Sequence, residues 1–217
     1  MDKAQAQHIW ALVHAERKAL IADLSTLDDE AWARDSAAAG WSVHDVAAHL
    51  VDNALTKPGR LLWAMLRAGF DFDKQNANGV AAQRQAQPAA TLERLVAAAD
   101  ARTGPPAPLA SRLVEEIAHG EDIRRALGIR REYPVPALDL AIGYQARTPR
   151  AVGGAKELAQ RVQLVSDDHQ RAEQQLRLGL GAVLAGPRLE LLMALTGRTP
   201  APGSLHGPGI AFLAPLA

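Results

Sequence analysis

The run Trp41-Ser-Val-His-Asp-Val-Ala-Ala-His-Leu50, answered much later by Val114-Glu-Glu-Ile-Ala-His-Gly120, decides how this chain is read. Both stretches have helical periodicity. Ser42 stands where an N-cap belongs and Asp45 occupies the capping-box position three residues on. Val43, Val46, Ala47, Leu50 and Ala54 then form an apolar stripe, with His49 and Asn53 along its flank, where a side chain can look into a cleft. In the second run Glu115 and His119 are four residues apart, so their side chains rise from adjacent turns of one helix face and can share a cation. His49 would bring a third ligand from another helix. Two imidazoles and one carboxylate leave a divalent metal with open positions, which suits catalysis better than a closed structural site.

Spacing alone leaves alternatives open. Glu116 lies three residues before His119 and shares that face nearly as well as Glu115. Leu109, Leu113, Val114 and Ile117 centre the apolar stripe almost opposite Glu115, so periodicity by itself reads a solvated face. Asp45 and Asp52 are within a turn of His49 and either can orient an imidazole, or both are surface charges.

Outward from these runs, the first half reads as helices with short breaks. Ile9, Leu12, Val13, Leu20, Ile21 and Leu24 recur at helical spacing between Lys3 and Leu24, and a short turn carries Trp32. The helix begun at Ser42 runs to about Ala54, breaks at Lys57-Pro58-Gly59 and resumes from Arg60 to Phe70. Asp71 to Pro88, rich in Gln, Asn and Gly, is predicted to be partly loop; Ala89 to Arg102 reads as helix, stopped by Gly104-Pro105-Pro106. A further helix spans about Leu109 to Leu127, with Gly128 as its stop. Four helices so joined predict an antiparallel bundle. After Tyr133-Pro134-Val135-Pro136 the character changes: Val162, Leu164 and Leu176 to Leu180 alternate with the period of strands, Pro187 to Leu195 is a short helix, and Gly209 to Leu213 reads as one more strand. The expected class is α+β, a four-helix bundle over 1–132 followed by a small α/β domain over 133–217.

Composition narrows the function classes. Lys plus Arg equals Asp plus Glu at 24 each, so no net field draws the chain to nucleic acid or to an anionic membrane. The opening residues lack a signal-peptide pattern and no apolar run approaches the roughly 20 residues of a spanning helix, which predicts a soluble, cytoplasmic protein. There is no cysteine, which excludes disulfides, thiolate ligands and a protein-borne thiol nucleophile. Any thiol chemistry must import its thiol. Gly179-Leu-Gly181 with Gly186 has the wrong spacing for a dinucleotide or phosphate loop, and no Gly-x-Ser-x-Gly elbow is present.

Gly40 to Leu50, together with Glu115-Glu-Ile-Ala-His-Gly-Glu-Asp-Ile-Arg-Arg-Ala-Leu-Gly128, resembles in order and spacing the two metal-site signatures of the mycothiol-dependent maleylpyruvate isomerase family, a DinB-like group of actinobacterial proteins. Glu157 to Asp168 and Gly186 to Arg198 are similar to that family's C-terminal domain, so the resemblance spans most of the chain. It implies a DinB-like bundle holding a divalent metal through His49, Glu115 and His119, since the second signature reads Glu-x-x-x-His and selects Glu115 over Glu116. Zinc is the expected metal, although nickel and iron accept the same ligands. Arg198 matches an arginine of the family's second domain, with the role of gripping a substrate or cofactor carboxylate; a cation at a helix C-terminus is the simpler use of the same residue. One departure is Arg171-Ala-Glu-Gln-Gln, which replaces a Trp-Ser-His-Gly-like stretch of relatives. The implied activity is isomerase or S-transferase chemistry in which mycothiol, or another low-molecular-weight thiol, attacks an electrophilic small-molecule substrate. The chain would act as a monomer or homodimer. The alternative is a DinB-like metal-binding module without catalysis, serving as a sensor or assembly subunit.

Overall fold

The computed structural model describes residues 1–57, 59, 71–104, 107–168 and 172–213. Its first helix, α1 (Lys3–Leu24), is capped by Asp2, whose carboxylate accepts the Gln5 N–H at 2.7 Å. Asp28 caps the short α2 (Asp29–Ala33), which buries Trp32. The quoted run forms α3 (Val43–Leu55) with a complete capping box: the Ser42 hydroxyl accepts from the Asp45 N–H at 3.2 Å, and Asp45 accepts from the Ser42 N–H at 3.0 Å. The predicted resumption from Arg60 to Phe70 lies outside the described residues.

Asp71 to Pro88 is more ordered than its composition suggests, since α4 (Phe72–Gln83) occupies most of it. Two things override the weak helix propensity of Asn and Gly there. Asp71 caps the first turn by accepting from Lys74 N–H at 3.0 Å, and the helix packs along α3, burying Gln75, Val80 and Gln83. Next come α5 (Pro88–Ala97), with proline in its first turn, and α6 (Ser111–Leu127), which ends on the left-handed Gly128 at φ 70°.

Helix α1 packs on α5 and α6, and α3 packs on the same two. Between them Leu20, Leu24, Val43, Val46, Leu50, Val51, Leu95 and Ile123 close one apolar core around Trp32. Leu50 is fully buried there, so truncating it to alanine costs about 2–5 kcal/mol. Ion pairs reinforce one seam: Arg17 with Glu116, Arg124 with Asp23 at 2.7 Å and Arg131 with Glu16 at 2.7 Å join α1 to α6 and the residues after it. No helix among the described residues is long and apolar enough to cross a membrane.

The chain divides into two compact units, Met1–Arg131 and Glu132–Ala217. The second holds α7 (Val135–Gln145), the one-turn α8 (Lys156–Ala159), α9 (Arg188–Leu195) and a three-stranded sheet of order β2-β1-β3. Strand β1 (Val162–Ser166) pairs in parallel with β3 (Ala182–Gly186), from Val162 opposite Ala182 to Ser166 opposite Gly186, and antiparallel with the two-residue β2 (Arg177–Leu178). Helix α9 packs on α7 and on both long strands. The class is therefore α+β, dominated by helix.

One strand expectation is met only in the two residues of β2, and another fails, both for backbone reasons. Leu176 to Leu180 alternates like a strand, but Gly179 and Gly181 take φ of 87° and 133° in a tight turn. A side chain on either would meet backbone carbonyls at 2.5 and 2.3 Å, and Leu180 is left 82% exposed, so the second long strand starts only at Ala182. Gly209 to Leu213 is a 3₁₀ turn, Pro208–Phe212, rather than a strand. Proline at its start cannot donate to a sheet, and the backbone at Gly209 lies against Leu184 too closely for a side chain.

Candidate metal centre

His49 leaves α3 from the turn above Asn53, while Glu115 and His119 leave α6 one turn apart, and the contact between these helices brings all three together. Each offers one ligand atom within 4.8 Å of the others. Glu115 Oε2 is 3.6 Å from His49 Nε2 and 3.4 Å from His119 Nε2. Two ligands at about 2.0–2.2 Å from one tetrahedral metal lie about 3.4 Å apart, so these separations fit a single ion. The donor set fits as well, because two imidazoles and a carboxylate suit zinc and its neighbours.

The electrostatics favour an ionised Glu115 and an uncharged His49. Burial pushes the His49 pKa below its ordinary value, so the ring is held neutral. Burial opposes ionisation of Glu115, but hydrogen bonds from His119 and His49 and the nearby charges of His119 and Arg112 outweigh it, holding this carboxyl well below the usual range. His49 Nδ1 is enclosed with no hydrogen-bond partner, leaving Nε2, on the Glu115 side, as the polar edge of the ring. Trp41 lies against both rings, its centroid 5.0 Å from that of His49 and 6.4 Å from that of His119.

Glu115 and Glu116 point in different directions. Glu116 turns to α1, where it accepts from Arg17 Nε at 3.0 Å, and both side chains are almost fully enclosed. Burial raises the Glu116 pKa against the pull of Arg17. Glu115 is half-buried rather than solvated, contrary to the helical wheel. A wheel places polar residues outward, yet Arg112, Glu116, Glu121, Asp122 and Arg124 of α6 are all buried. Each finds a partner on another element, or one turn away on α6, that the apolar pattern of a single helix does not reveal.

The orienting carboxylate is neither of the two expected. Asp45 is used by the capping box and by Arg84, at 2.8 Å, while Asp52 accepts from Gln83 at 3.3 Å. Instead the buried Asp122 sits 3.0 Å from His119 Nδ1, which aims Nε2 at Glu115. Its i, i+3 spacing from His119 was the available signal. Asn53 and Arg112 also escaped notice as partners of Glu115: Asn53 Nδ2 donates to Glu115 Oε2 at 2.6 Å, and Arg112 donates to Asn53 Oδ1 at 2.7 Å.

Residues 13–112 match the family model of the mycothiol maleylpyruvate isomerase N-terminal domain. This segment resembles that family's N-terminal domain. The matched segment includes His49 and ends before Glu115. Two solved structures share the fold of nearly the whole chain, a mycothiol-dependent maleylpyruvate isomerase at 16% identity and a histidine-to-alanine variant of one at 15%. Each superposes with a TM-score of 0.65, covering 97% of this chain and 95% of its own. A search of curated proteins finds no match.

Arg198 belongs to the second unit, just past α9, where its side chain donates to the Thr196 carbonyl at 3.4 Å. With Arg150 and Arg161 it borders a cavity of about 420 Å³ over Leu158, Leu195 and Phe212. The Arg161 guanidinium lies 4.4 Å above the Phe212 ring.

Proposed function

We propose that this chain is a divalent-metal-binding, mycothiol-dependent enzyme of the maleylpyruvate isomerase type, catalysing cis-trans isomerisation or thiol transfer. The convergence of His49, Glu115 and His119 carries the reading. Helices α1, α3, α5 and α6 are then the DinB-like four-helix bundle of residues 1–132, and 133–217 the smaller domain.

When bound, the metal, zinc first among the candidates, supplies a positive centre at which an external thiol loses its proton readily. The remaining contributions come from the chain. Glu115 is ionised and His49 uncharged before anything binds, so a metal would displace only the imidazole N–H bonds to Glu115. Asp122 fixes the His119 tautomer, and the Trp41 ring covers one side of both imidazoles. A chain with no cysteine leaves the nucleophile to a small thiol. Arg198, a planar fork of donors, would grip a carboxylate of the electrophilic substrate or of the thiol.

The test is metal analysis of the protein and of His49→Ala, followed by turnover of electrophilic substrates with and without mycothiol on zinc-loaded protein. One metal per chain, lost in His49→Ala, and turnover that needs the thiol are expected. Stoichiometric metal retained by His49→Ala would overturn the ligand assignment. Metal without any thiol-dependent turnover would favour a non-catalytic metal-binding module.

A further inference from the structure

We infer that Arg112 and Asn53 act as a polarised pair that positions Glu115 for the metal, an inference that rests on the metal reading above. An arginine only donates and an ionised carboxylate only accepts, so an amide between them has one orientation. Asn53 presents Oδ1 to Arg112 Nη1 at 2.7 Å and Nδ2 to Glu115 Oε2 at 2.6 Å.

The placement ties the two ligand-bearing helices together. His49 and Asn53 are one turn apart on α3, and Arg112 and Glu115 are one turn apart on α6, so one amide joins both turns across the helix contact. Arg112 is 6% exposed, and so cannot relax its charge into bulk water. The chain makes room for it. A side chain at Gly104 would meet Arg112 Cδ at 3.0 Å and Nε at 3.3 Å, and the adjacent Thr103 hydroxyl donates to the carbonyl of Ala54, next to Asn53. The loop after α5 therefore backs the pair from behind.

The consequence is a carboxylate oxygen held toward the two imidazoles instead of sampling its rotamers. Orienting partners of this kind typically change metal affinity by about 10–100-fold. The test titrates the full-length protein with Co²⁺ and reads affinity and the visible d–d spectrum at saturation. Asn53→Ala should bind one ion about 10–100-fold more weakly, with an altered spectrum and an unchanged far-ultraviolet circular dichroism. Arg112→Met should resemble it, and Arg112→Lys, which keeps one charged donor, should fall between. A folded Asn53→Ala with wild-type affinity and spectrum would overturn this inference alone. A wild-type protein that binds no Co²⁺ or Zn²⁺ would overturn the metal reading and this inference with it.

Discussion

Replacing Arg17 with methionine is the sharpest test of how the first unit is held together. The Arg17 and Glu116 side chains are 1% and 4% exposed, and Arg17 also donates to the Ala98 carbonyl at 2.8 Å, at the end of α5. Methionine fills similar space but leaves Glu116 enclosed without its cation. Breaking a buried pair from one side costs about 3–5 kcal/mol. The lost bond to Ala98 adds about 1 kcal/mol, for a total near 4–6 kcal/mol. A domain has only about 5–15 kcal/mol in all, so the urea midpoint should fall steeply or the variant should be partly unfolded. The double variant Arg17→Met/Glu116→Leu removes both charges and should recover most of the loss, remaining about 1 kcal/mol below wild type because the Arg17 bond to the Ala98 carbonyl, which keeps only the Ala101 N–H, is still missing. Urea unfolding followed by tryptophan fluorescence measures all three proteins. The reasoning is refuted if Arg17→Met lies within about 1 kcal/mol of wild type, or if the double variant is no more stable than the single one.

Asp122→Asn should weaken Zn²⁺ binding by about 10–100-fold while leaving the far-ultraviolet spectrum unchanged, and equal affinity in a chelator competition would remove Asp122 from the centre. His44 is buried against Thr91 at 2.7 Å, and burial, helped by Arg84, holds its pKa below 6.5. The unfolded chain therefore takes up the proton first, so this contribution to stability is whole above about pH 6.5 and is lost as pH falls through the folded value. Urea midpoints from pH 7.5 to 5 should drop less in His44→Gln than in wild type, and parallel slopes would contradict the assignment. Gly154→Ala should destabilise the protein by about 1–3 kcal/mol, because the new carbon would lie 2.0 Å from the Thr148 carbonyl oxygen. Gly197→Ala, with φ of 74° but open space around it, should cost about 1–2 kcal/mol through backbone strain alone. A thermal melt compares them.

What was legible in the sequence was local. The Ser42 capping box, the Gly128 stop and the proline at the start of α5 are decided within a few residues, so the helices stand close to where the pattern puts them. The four-residue spacing likewise gave Glu115 and His119 a common face. What was hidden depends on partners distant in sequence. α4 is held by packing on α3, the Leu176 to Leu180 alternation is broken by glycine backbone at positive φ, and Glu115 is half-buried because α6 spends its charges on other helices. The role of Arg112 is hidden for the same reason, since its partner Asn53 lies across the helix contact.

The seam between α1 and the α6 region has a consequence for synthesis. Its three ion pairs join residues 99, 101 and 115 positions apart. At about 5–20 residues per second, a ribosome needs roughly 5–20 s to produce the intervening chain. During that interval Glu16 and Arg17 lack Arg131 and Glu116, and the apolar face carrying Ile9, Val13, Leu20 and Leu24 lacks part of its cover. The nascent unit is thus an open half-core until residue 131 clears the exit tunnel, and that is the window in which a chaperone or a protease would meet it.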